Sequence, residues 1–76
     1  MKTSEQLILP ISNIPLSKRE KTVFQLIIEG QTSQQIADTL FISIHTVNFH
    51  RKNIRSKLNV NSIGEMIRYA YQYQVV

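Results

Sequence analysis

The chain has 76 residues, net charge +4 and pI about 9.8. A domain of this size buries only about 60% of the surface its unfolded chain exposes, so it holds one modest core and no cleft around a substrate. Cysteine is absent, which excludes disulfides and thiolate metal sites and fits a reducing cytoplasm.

Residues 1–15 carry Pro10 and Pro15 and no sustained period. They read as an arm or linker preceding a domain over 16–76. Leu7, Ile8 and Leu9 follow Lys2, but Glu5 and Pro10 interrupt the apolar patch, so it makes a poor signal peptide. No run approaches the roughly 20 apolar residues that cross a bilayer, and no membrane association is expected.

From Ser17 the pattern becomes helical. Ser17-Lys18-Arg19-Glu20 is a capping box, in which a hydroxyl accepts from the backbone at the fourth residue and its carboxylate accepts in return. The helix runs to about Glu29 on an apolar face of Val23, Phe24, Ile27 and Ile28, and Gly30 stops it. Thr32-Ser33-Gln34-Gln35 is a second capping box, opening a short helix to Leu40 or Phe41 with Ile36, Ala37 and Leu40 inside. Ser43 begins a third helix that ends near Leu58 or Asn59. Ser62-Ile63-Gly64-Glu65 is a third capping box, and a fourth helix runs to about Gln72 or later. Nothing reads as a strand. The fold class is therefore all-α, with four helices in a helix-turn-helix arrangement.

The third helix has two unlike faces. At about 100° per residue, Val47, Ile54 and Leu58 share one side. His45, Asn48, Phe49, Lys52 and Ser56 fall on the other. Every acidic residue lies outside 39–64, and Arg51, Lys52, Arg55 and Lys57 lie within it. Such a gathering of cations is the footprint expected for phosphate contacts, although a solvated cationic face has the same composition. The fourth helix carries an apolar arc of about 160°, wider than the roughly 100° one core requires. Ile63, Met66, Ile67, Ala70, Tyr71 and Tyr73 form it. The excess points to a homodimer through Ile63, Ile67 and Tyr71, the other reading being simple exposure.

The residues Leu16-Ser17-Lys18-Arg19-Glu20, Glu29-Gly30-Gln31-Thr32, Ile36-Ala37, Leu40-Phe41-Ile42-Ser43, Thr46-Val47, His50, Lys57-Leu58 and Val60 resemble the LuxR-type (GerE-like) helix-turn-helix domain of bacterial transcription regulators. The resemblance covers about 16–73. It implies a dimeric DNA-binding domain whose third helix enters the major groove and whose C-terminal helix makes the dimer contact. It places Asn48, Phe49 and Lys52 at base-contacting positions, Thr46 and Lys57 at phosphates, and Thr32 and Ser33 near the backbone. His50 matches a histidine that packs the recognition helix. The chain departs from the family at 48, usually Lys or Arg, at 44, often acidic, and at 49, often small or β-branched. Here those positions hold Asn48, Ile44 and Phe49.

Asn48 can donate and accept at once, which suits adenine N6 and N7. Phe49 suits a thymine methyl, with Ile44 adding contact at the groove edge; the alternative has Phe49 turned back over Phe41 or the turn. Lys52 reaches a guanine edge or a phosphate. His45, Arg51 and Arg55 are assigned to phosphates, which position a helix without reading sequence. Thr32 and Ser33 sit at a helix N-terminus, where free N–H groups favour anions, and ordinary capping has the same requirement.

His45 and His50 alone do not make a metal set, and no nucleophile–base pair or phosphate-cradling glycine loop is present. No enzyme activity, cofactor or metal is expected. The expected function is sequence-specific duplex-DNA binding by a homodimeric transcription regulator, cytoplasmic and nucleoid-associated when bound. RNA polymerase or another regulator is a further expected partner. The alternative is a protein-interaction module that binds another regulator with weak or no DNA contact. No sensor fits before Ser17, so the chain is either freestanding or the output domain of a longer protein, and Met1 with its short arm favours freestanding.

Overall fold

A computed structural model describes residues 14–72. Residues 1–13 of the expected arm and Tyr73 of the expected apolar arc lie outside them. Four helices follow in order: α1 Lys18–Ile28, α2 Ser33–Leu40, α3 Ile44–Leu58 and α4 Ile63–Gln72. Among the described residues there is no strand, and the all-α helix-turn-helix architecture is as expected.

The starts of α1 and α2 obey the capping boxes. Ser17 Oγ accepts from Glu20 N at 3.1 Å while Ser17 N donates to Glu20 Oε1 at 2.9 Å. Thr32 and Gln35 repeat the exchange at 3.2 and 2.8 Å. The third box closes differently. Glu65 N donates to Ser62 Oγ at 3.1 Å, but the Glu65 carboxylate accepts from Asn61 N, one residue before the cap.

Three helix ends share one device, a left-handed residue that lets the next N–H reach back to a free carbonyl. Gly30 (φ 95°) closes α1, with Gln31 N donating to Leu26 O. Phe41 (φ 58°) closes α2, with Ile42 N donating to Ala37 O, and Asn59 (φ 56°) closes α3, with Val60 N donating to Arg55 O. Gly and Asn are the usual residues for this conformation; phenylalanine is not.

The core gathers Val23, Phe24 and Ile27 of α1, Ile36 and Ala37 of α2, Val47, Ile54 and Leu58 of α3, and Met66 and Ala70 of α4. Helix α3 packs on both α1 and α2, and α4 is held against α1. Phe24 and Tyr69 meet edge to face with centroids 6.2 Å apart. Ile14 and Leu16 are also buried, although Ile14 lies in the stretch that reads as an arm or linker. Chain irregularity near Pro15 does not prevent Ile14 from covering the core.

Candidate nucleic-acid interface

Helix α3 runs for 15 residues, and Ser43 caps it by accepting from Thr46 N at 3.1 Å. Ser43 Oγ and Thr46 Oγ1 also lie 3.0 Å apart, which fixes both hydroxyls at the start of the helix. With Val47, Ile54 and Leu58 buried, His45, Asn48, Phe49, Lys52 and Ser56 are exposed together. The structure thus presents the mixed face as the spacing predicts.

Phe49 is 61% exposed and Phe41 94% exposed, so Phe49 does not shield the turn. Its ring sits 6.1 Å from that of His50. His50 is half-buried, with Nδ1 enclosed and unpaired, in keeping with a packing place beside the face.

Arg51 and Arg55 are half-buried along one edge of this face. Neither pairs with a carboxylate among the described residues. Burial first, and then the positive charge of Arg55, lower the proton affinity of Arg51. Two adjacent guanidiniums without an acid form a place where an anion relieves both repulsion and lost hydration.

Lys57 behaves otherwise. Its Nζ is 2.8 Å from Glu20 Oε1, joining α3 to the start of α1. That hydrogen bond, followed by the one from Ser17 N, holds the Glu20 carboxyl below its usual range. Sequence spacing showed Glu20 as a capping residue and not as an acceptor for a lysine 37 positions away. Lys57 is 45% exposed, and its ammonium has donors beyond the one given to Glu20.

At the N-terminus of α2, Thr32 is exposed and Ser33 half-buried. Their box occupies the Gln35 N–H and leaves those of Ser33 and Gln34 without an intrahelical acceptor. On α4, Ile63, Ile67 and Tyr71 are exposed and one turn apart in succession, while Met66 and Ala70 face inward. No group of His, Asp or Glu suited to a metal ion occurs among the described residues, and no helix there is long and apolar enough to cross a membrane.

Residues 14–70 match the family described as GerE, bacterial regulatory proteins of the luxR family. The chain belongs to this family. The LuxR-family match covers every helix just described except the last two residues of α4. Among its relatives, the transcriptional regulatory protein MctR of Rhizobium johnstonii is 39% identical over 62 residues, covering 82% of this chain and 29% of that protein. The fimbriae Z protein of Escherichia coli K12 is 41% identical over 61 residues, covering 80% and 29%. The oxygen regulatory protein NreC of Staphylococcus carnosus is 39% identical over 61 residues, covering 80% and 28%. The chain therefore spans under a third of the length of these LuxR-family relatives.

Proposed function

We propose that the domain binds double-stranded DNA as a homodimer and serves a transcription regulator, with α3 in the major groove. The observation that carries this reading is the exposed face of α3. It combines an amide, an ammonium and an aromatic ring, is edged by two guanidiniums that pair with no carboxylate among the described residues, and lies in a stretch, 39–64, with no acidic residue. A helix-turn-helix directs the N-terminal part of its second helix at base edges. Asn48, Phe49 and Lys52 then meet bases, and Arg51 and Arg55 bracket phosphates. His45, Thr46, Thr32 and Ser33 supply further phosphate contacts, the last two through free N–H groups at the start of α2. Lys57 joins them with the donors that Glu20 leaves free. The exposed row Ile63, Ile67 and Tyr71 forms the dimer contact, and its two-fold symmetry calls for inverted half-sites.

Asn48 and Phe49 in place of more cationic readers favour half-sites containing A and T. The test is a gel shift on duplexes selected from a random pool, repeated at two salt concentrations. Log K should fall by about 0.9 per neutralised phosphate for each tenfold rise in salt. Asn48→Ala should change which sequences are preferred. Arg55→Ala should weaken all sequences alike and reduce the salt slope by about one phosphate. Flat binding between low and moderate salt contradicts the reading, and half-sites of G and C alone contradict the base preference.

A further inference from the structure

Six large apolar side chains stand exposed among the described residues, and they fall into two groups. Ile63, Ile67 and Tyr71 are the row on α4. Phe41, Ile44 and Phe49 belong to the turn and to the start of α3. Ile44 precedes Asn48 by one helical turn on the same row, and Phe49 lies on the adjoining row beside Lys52. An amide is thus flanked by an aliphatic and an aromatic side chain, 38% and 61% exposed, within the first six residues of α3. This is the end of the helix that a helix-turn-helix aims at base edges.

Apolar side chains find one apolar partner among the major-groove base edges, the methyl on C5 of a pyrimidine. Asparagine requires the opposite situation at adenine. It donates to N7 and accepts from the N6 hydrogen that faces the groove. A methyl group on N6 of a paired adenine takes the place of that hydrogen. Phosphate contacts by Arg51 and Arg55 are indifferent to both changes.

From this arrangement we infer that the start of α3 responds to the methylation state of bases, with opposite signs. Ile44 and Phe49 draw affinity from C5-methyl groups on pyrimidines. Asn48 loses its adenine when N6 is methylated. The inference rests on the DNA-binding reading above and assigns it a substrate chemistry: duplex DNA carrying C5-methyl pyrimidines and unmodified adenine at the half-site.

The experiment titrates the full chain against the most enriched duplex from a random pool, by fluorescence anisotropy. Three forms are compared: unmodified, with deoxyuridine for thymidine in the half-site, and with N6-methyladenine for adenine there. Each lost C5-methyl should weaken binding about three- to fivefold. Methylation of the adenine facing Asn48 should weaken it about tenfold. Ile44→Ala and Phe49→Ala should bind the thymidine and deoxyuridine forms more nearly alike. Asn48→Ala should bind the two adenine forms alike. All three positions are exposed, so the variants should remain folded, and circular dichroism checks this. Equal affinity of the unaltered protein for the three duplexes overturns the inference and leaves DNA binding standing. A response of one sign only overturns the paired assignment, as does a selected half-site of G and C alone. Absence of salt-sensitive binding to any duplex overturns the DNA reading itself, and this inference with it.

Discussion

Phe41 shows at the scale of one residue how backbone geometry overrides side-chain preference. The turn between α2 and α3 is only three residues long, and closing α2 requires a left-handed residue there. That conformation costs an L-residue with a Cβ roughly 1–2 kcal/mol. The ring recovers little of this by packing, since it is almost wholly in solvent. Phe41→Gly should therefore stabilise the domain by about 1 kcal/mol after the extra backbone entropy of glycine is subtracted, or roughly 4–8 °C in Tm. Thermal melting followed by circular dichroism measures it, and an unchanged or lower Tm would show that the ring makes a contact that matters. No pattern in the sequence announced this. Gly30 and its helix stop were readable because glycine signals positive φ. Phenylalanine at 41 carries no such signal, and the conformation is revealed by the backbone itself, its positive φ and the hydrogen bond from Ile42 N to Ala37 O.

At the scale of elements, the helix order, the capping residues and the two faces of α3 were legible because each follows from neighbours within four positions. What joins one helix to another was not. Glu20 is the example: its capping role is a local spacing, whereas its bond to Lys57 depends on how α1 and α3 cross. Ile14 is another, since burial of a residue next to a proline is settled by where the core lies. The Glu20–Lys57 pair has a consequence in pH. A carboxylate whose folded pKa is depressed contributes stability that is fully present above its unfolded pKa, about 4.3, and is lost as pH falls through the lower folded value. Tm should therefore fall below about pH 4, and Glu20→Gln should flatten that part of the profile while lowering Tm at neutral pH. Lys57→Met should lower Tm at neutral pH too, yet change the salt slope of DNA binding less than Arg55→Ala does. Equal changes in slope for the two variants would place Lys57 fully on the phosphates.

For the whole molecule, one core has to position two surfaces, the face of α3 and the outer row of α4. A single α3 can bury only a few base pairs' worth of contacts, and half-sites one helical turn apart lie about 34–36 Å from each other. On the proposed reading, a second copy joined through α4 would make the second contact effectively intramolecular, so affinity for two inverted half-sites would exceed affinity for one without any new base contact. Ile67 is at the middle of the exposed row, between Ile63 and Tyr71, and outside the buried core. Ile67 is 37% exposed, so Ile67→Glu should leave the domain folded at a cost of about 1 kcal/mol for the apolar surface it loses. Its main effect should appear in association. Sedimentation should show the variant monomeric at concentrations where the unaltered chain self-associates. Gel shifts should show affinity for a single half-site retained and the preference for two inverted half-sites lost. A variant that still favours the inverted pair as the unaltered chain does would remove α4 from the dimer and leave its apolar row as plain surface.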